Sequence, residues 1–334
     1  MIKANTGKQK QYRQAFAVLS NNRLVAGDLA DQYVYWMAES RLGQGSLDAA
    51  DQIFGELLRE FPDSSRRLES IISSAFIAAQ REDWTRVILL LRPANGVFQT
   101  QLGDGAEGGL LQEGCLLLSG AFLEQKDPVS AKLLLDMLPR AMTANRAQRQ
   151  KLLNIRISMA SGNFSEAMEK INQLQKGDTE WLIQIARLKV TLLVKQKKWL
   201  TAAQTYMSLT SEDLDPIVSE RIYLKSALFF IQGGDRVAAE KTLKSILNHP
   251  ELNKSHPVVN CILGEMALQE GNKVQDALKY FEAVKGSLVD QEIEARMFWG
   301  MGRCKHLLGD MPSASDFLYR AINTSKNNAL RAGI

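Results

Sequence analysis

Hydrophobic positions along the chain recur with a helical period, and the helical stretches themselves recur. Apolar or small residues at i, i+4 and i+7 fall on one face in Ala50, Phe54, Leu57 and again in Ala277, Phe281, Val284. A second apolar-periodic stretch precedes each of these, as in Tyr33 to Leu42, Ile71 to Ala79 and Met297 to Leu308. Between the two runs a short turn, as in Gly45-Ser-Leu-Asp-Ala-Ala50, Gly162-Asn-Phe-Ser-Glu-Ala167 or Gly309-Asp-Met-Pro-Ser-Ala314. Gly, Asn or Asp there is expected to supply the left-handed backbone that ends a helix. The pattern predicts helical hairpins whose second helix opens on a small residue, because two closely crossing backbones leave no room for a larger one.

The small residues form a ruler. They are Ala15, Ala50, Val87, Ala131, Ala167, Ala202, Ala239, Ala277 and Ala314, spaced by 35, 37, 44, 36, 35, 37, 38 and 37 residues. So regular a period marks a stack of repeats. At 334 residues the length alone suggests about two domains, but the period draws a single solenoid over 1–334 of about eight to nine hairpins. On the facing helices Ala38, Ala75, Ala227, Gly264 and Gly302 are expected at the same close crossings.

These features resemble the tetratricopeptide repeat, with a small residue early in the first helix, Gly-x-aromatic-x-x-Ala at the turn and a late proline. Residues Ala38, Gly45, Ala50, Phe54 and Pro62 fit best. Elsewhere the turn aromatic is Trp84, Phe164 or Trp199, or is absent, and the late proline is mostly missing. The resemblance implies an all-α, right-handed α–α superhelix that binds a protein or peptide in a concave groove. The segment from Tyr33-Val-Tyr-Trp-Met-Ala to Phe61-Pro-Asp-Ser is similar to a narrower group, bacterial cell-envelope repeats of Tol-Pal coordinators and outer-membrane assembly lipoproteins. That implies a periplasmic or cell-envelope location, the alternative being a cytoplasmic regulator or assembly subunit. Tyr12-x-x-Ala15 reads as the start of a second helix without its first, and Ala329 to Ile334 as the start of a further repeat. Both ends are therefore expected to belong to a longer protein.

One spacing is about seven residues too long, and the excess maps to residues 94–109, a Gly-rich stretch expected to be an inter-repeat loop. Its Asp104 and Glu107 are too few and wrongly spaced for a calcium loop.

Composition narrows the function more than it names it. Hydrophobic residues make up 45%, with only 8 prolines and 23 glycines, as long helices require. Lys and Arg number 41 against 37 Asp and Glu, a net +4 that shows no nucleic-acid footprint. Cys115, Cys261 and Cys304 have no pairing or metal spacing and read as buried small side chains. His249, His256 and His306 form no His-Glu-x-x-His pattern, and there is no nucleophile elbow or phosphate loop. The expectation is a non-enzyme without cofactor or metal, not inserted in a membrane, with a protein or peptide rather than a small molecule or nucleic acid as partner.

By analogy with the tetratricopeptide pattern, groove positions lie at fixed counts before each small residue. In the first repeats this selects Gln32, Tyr35, Glu39, Glu69, Phe76, Glu113 and Glu124. From the fourth onward it selects Arg149, Arg156, Arg187, Lys195, Arg221, Arg296, Trp299, Arg303 and His306, with Glu265 interrupting. The neutral sum is therefore expected to conceal a groove acidic at one end and basic at the other, suited there to acidic segments. Tyr35 and Trp299 are its expected aromatic anchors, and Arg296 and Arg303 fork donors beside Trp299.

Overall fold

Every second helix opens on a residue that water does not reach. Ala50, Val87, Ala131, Ala167, Ala202, Ala239 and Ala277 are fully buried, and Ala314 nearly so. A computed structural model describes residues 2–103, 105–174, 177, 179–210, 215–287 and 289–325. Among these the chain is all helical, in eighteen α-helices and three short 3-10 turns. Asp104 and residues 329–334, each given a role above, lie outside the described residues.

Sixteen helices pair into eight hairpins, divided between two compact units, Met1–Gln173 and Leu174–Ile334. The first unit holds α2 (Ala30–Gly43) with α3 (Leu47–Glu60), α4 (Arg67–Gln80) with α5 (Trp84–Leu91), α7 (Gly109–Glu124) with α8 (Pro128–Asp136), and α9 (Ala144–Ala160) with α10 (Phe164–Gln173). The second holds α11 (Thr179–Lys195) with α12 (Trp199–Met207), α13 (Pro216–Gln232) with α14 (Arg236–Leu247), α15 (His256–Gln269) with α16 (Val274–Glu282), and α17 (Gln291–Leu307) with α18 (Met311–Thr324). Two helices stand outside this scheme, α1 (Ile2–Asn22) and α6 (Val97–Leu102).

The small facing residues do what their size permits. Ala38, Ala75 and Ala227 are fully buried. In the second unit Phe281 projects from α16 into a slot that exists because α15 and α17 each offer a glycine. A methyl at Gly264 would stand 2.7 Å from its ring, and one at Gly300 2.2 Å. Leu318 of α18 fills the corresponding place against Gly302.

The helix starts are local chemistry. Asp83, Asp127, Asp235 and Asp310 each accept a hydrogen bond from the backbone N–H three residues on, at 2.9–3.2 Å. Such caps contribute about 1 kcal/mol each.

Three expectations are corrected. Ala15 does not open a second helix: α1 runs unbroken from Ile2, so Tyr12 to Ala15 lie in its middle, and Ala15 is exposed. The left-handed residue at the hairpin turn is Gly in five repeats, but Glu82, Lys126 and Lys197 hold it in the other three, at φ 57–61°. The Asp or Lys that follows is the N-cap, not the left-handed residue. The stretch 94–109 is not plain loop, since it contains α6. Phe98 and Leu102 of α6 are buried, and the Ala106 N–H donates to the Met137 carbonyl at 3.2 Å. Phe98 lies against Gly114, where a methyl would meet its ring at 2.1 Å, so the insertion is packed into the first unit's core.

The Phe281 slot predicts opposite outcomes for two chemically identical changes. Gly300→Ala should lower stability by about 1–3 kcal/mol through overpacking. Gly55→Ala, whose added methyl meets nothing within 4 Å in α3, should raise it by roughly 0.5–1 kcal/mol. Urea denaturation of the two variants checks both signs.

Candidate binding surface

Consecutive first helices place side chains one repeat apart side by side, and the charged ones meet. Arg149 of α9 reaches Glu113 of α7 at 2.5 Å across 36 residues of sequence, and Arg156 pairs with Glu124 on the same two helices. In the second unit Arg296 of α17 forks onto Glu265 of α15, its Nε and Nη2 each donating at 2.8 Å. That hydrogen-bonded carboxylate raises the pKa of the Arg296 guanidinium. The polar rungs continue between α2 and α4, where Arg66, just before α4, donates to Gln32 at 2.8 Å and Ser73 of α4 to Glu39 at 3.3 Å.

Three of the expected acidic groove residues are partners of three of the expected basic ones. Glu113 and Glu124 meet Arg149 and Arg156, and Glu265 meets Arg296 where the sequence showed only an interruption. Solvent-accessible, half-buried pairs of this kind add about 0–1 kcal/mol each. Their larger effect is to leave no free charge for a ligand at those positions.

What remains unpaired is concentrated in the second unit. Arg187 of α11 with Arg221 and Lys225 of α13 are exposed and have no carboxylate partner among the described residues. They line one cleft of about 380 Å³ together with Ile183, Thr191, Tyr206, Val218 and Ile222. No Asp or Glu is among its described lining residues. Burial pushes the Tyr206 phenol upward in pKa, with Arg187 pulling partly the other way, so at neutral pH the phenol offers a proton. The cleft therefore presents three cations, a hydroxyl, a phenol and aliphatic walls. That set suits carboxylates carried on a chain with apolar side chains between them. Lys225 and Tyr206 were not among the positions counted from the repeat. Lys225 lies four residues beyond Arg221, on the same helical face, which is the signal that could have found it.

A second cleft of about 410 Å³ gathers Arg296, Trp299 and Arg303 with Glu265, Glu292 and Leu307. Arg303 lies over the half-buried Trp299 ring, 5.6 Å from its centroid. With Arg296 held by Glu265, the two expected fork donors reduce to one. His306 is exposed and does not line this cleft.

Tyr35 is only 8% exposed, so it is a packed ring rather than an accessible anchor. It contacts Phe54 and Trp36, with Arg66 over its face at 5.1 Å. Its neighbour Trp36 is the accessible aromatic, 49% exposed. Burial raises the pKa of Glu39 beside it.

Among the described residues no group of three or more His, Cys, Asp or Glu could hold a metal ion. Burial holds the three thiols high, Cys115 and Cys261 at about 12 and Cys304 at about 11. No described helix is long and apolar enough to cross a membrane.

The chain is an all-α helical-repeat protein. Residues 32–64, the hairpin of α2 and α3, match the tetratricopeptide repeat model. No curated protein matches the chain in sequence. Among solved structures, the human IFIT1 dimer with PPP-AAAA is 13% identical over 92% of this chain and 78% of its own, at a TM-score of 0.42. The APC/C hetero-tetramer Cut9–Hcn1 is 12% identical over 96% and 85%, at 0.33. The P58(IPK) TPR domain is 14% identical over 90% and 85%, at 0.25. Likenesses at this level carry no argument about what this chain binds.

The environment of Tyr35 makes an alkaline test. Burial first, then the charges of Glu39 and Glu69, raise its phenol from 10 to about 12. The fold therefore favours the neutral phenol, whose contribution to stability is whole below pH 10 and is lost as pH climbs toward 12. Ultraviolet titration at the phenolate band should show a late-ionising tyrosine that Tyr35→Phe removes.

Proposed function

We propose that this chain is a non-catalytic interaction scaffold that holds a partner protein, through an acidic segment, in the cleft of Arg187, Arg221 and Lys225. One observation carries the reading. Glu113, Glu124 and Glu265 are each answered by an arginine one repeat away, while these three cations share a cleft with no acidic residue among its described lining residues. A rigid cationic site on packed helices pre-orders its donors, so a carboxylate-bearing segment binds without reorganising the scaffold. Aliphatic walls at Ile183, Val218 and Ile222 give the intervening side chains a place to lie. The Trp299–Arg303 face is a second contact for the same partner.

We place this binding in bacterial cell-envelope assembly, with the protein in the periplasm or at the envelope. The support is the likeness of the first full repeat, Tyr33 to Ser64, to envelope repeats. Fractionation of cells making the native protein tests the location, and recovery only with cytosolic enzymes contradicts it.

The binding reading is tested with a fluorescent Asp/Glu-rich peptide containing alternate leucines, titrated by anisotropy. Arg221→Glu with Lys225→Glu should weaken it by at least about tenfold, or 1.4 kcal/mol. Arg149→Glu should change it little, because Arg149 is already paired. Affinity should fall with added salt as the Debye length shrinks from about 30 to about 3 Å between 0.01 and 1 M. An affinity indifferent to both the double substitution and salt rules the cleft out. Tighter binding of a single-stranded RNA of equal charge rules out the acidic partner.

A further inference from the structure

The first 27 residues contain no aspartate or glutamate, while Lys3, Lys8, Lys10, Arg13 and Arg23 are all basic. Nearly all of them lie in α1, which touches the first unit along one stripe. Phe16 sits beneath the Arg41 guanidinium, 3.7 Å from the ring centroid, and the Tyr12 ring occupies the space beside Gly43. Gln9, Phe16 and Leu19 are half-buried, and Arg23 closes the stripe by pairing with Glu56 and Glu60. By the helical period, Lys10, Arg13 and Val18 lie away from that stripe, and all three are exposed. Lys8, Lys10 and Arg13 have no carboxylate partner among the described residues.

Two 3-10 turns follow, Arg23–Val25 and Gly27–Leu29. Their aliphatic side chains point into solvent: Leu24 is 98% exposed, Val25 81% and Leu29 58%. The Arg23 pairs fix the turn on α3, so these side chains are held outward by a tether to the packed unit.

We propose that α1 and the turns after it form a peripheral docking surface for an anionic lipid bilayer. Leu24 and Val25 enter the boundary between headgroups and acyl chains, Leu29 stays at headgroup level beside the exposed Asp28, and Lys10 and Arg13 lie among the phosphates. Basic residues on a helix followed by exposed aliphatics are the combination such an interface rewards, with no membrane-spanning helix required. The other occupants fit less well. A second copy meeting this one through the same surface would bring two acid-free helices together. A nucleic acid would satisfy the cations but leave the aliphatic tip in water.

The test is co-sedimentation of the full chain with vesicles of phosphatidylcholine containing phosphatidylglycerol, and with pure phosphatidylcholine. The expected result is binding to the anionic vesicles alone, weakened about tenfold or more by Lys10→Glu with Arg13→Glu and likewise by Leu24→Ser with Val25→Ser. All four positions are exposed, and circular dichroism should show unchanged helix content in both variants. Lys241→Glu, an exposed cation on α14 in the other unit, should leave binding intact. The proposal is overturned by equal binding to neutral vesicles, by an equal loss with Lys241→Glu, or by no binding at all. Self-association abolished by Leu24→Ser with Val25→Ser would assign the surface to a second copy instead.

Discussion

Close crossing of helices at alanine or glycine is the constraint on which the rest of this structure depends. A methyl or a hydrogen at the crossing lets two backbones approach until an aromatic or leucine from the neighbour fills the remaining space. Phe281 between Gly264 and Gly300 shows how little tolerance is left, and the buried residues that open the second helices show that the same solution recurs. Protein interiors are dense enough that one extra methyl group is felt. With that spacing fixed, consecutive first helices lie side by side, and residues about 31 to 36 apart in sequence become neighbours.

Electrostatics follows from that geometry. A net charge of +4 says little by itself, because the question is which charges have a partner one repeat away. Glu113, Glu124 and Glu265 each have one, and in answering an arginine they remove it from the binding surface. Arg187, Arg221 and Lys225 have none among the described residues and converge on one cleft. The pairs are individually weak. They decide where binding energy is available rather than how stable the fold is.

The hairpins, their number and their small crossing residues were legible in the sequence because they repeat, and repetition averages out local irregularity. Features set by one repeat alone were not. Glu82, Lys126 and Lys197 take a left-handed backbone that their residue types do not advertise, and packing of the flanking helices imposes it. The insertion at 94–109 reads as loop from its glycines, yet Phe98 and Leu102 find a buried place beside Gly114. Ala15 matches the repeat spacing but sits mid-helix and exposed, because a period counted at its end has no neighbour to check it. For the surface, the repeat spacing marks the arginines but not which of them are paired. Tyr35, expected as an anchor, is made part of the core by burial, and the accessible ring, Trp36, is the next residue.

The central claim is that ligand binding is confined to charges the repeats leave unpaired. Amide hydrogen exchange of the intact chain, with and without a saturating acidic peptide, tests it most directly. The account predicts added protection gathered in Ile183 to Thr191 and Val218 to Lys225, with the paired helices α7 and α9 unchanged. Protection centred on Glu113, Arg149 or Arg156, or spread evenly over the basic surface, would contradict it.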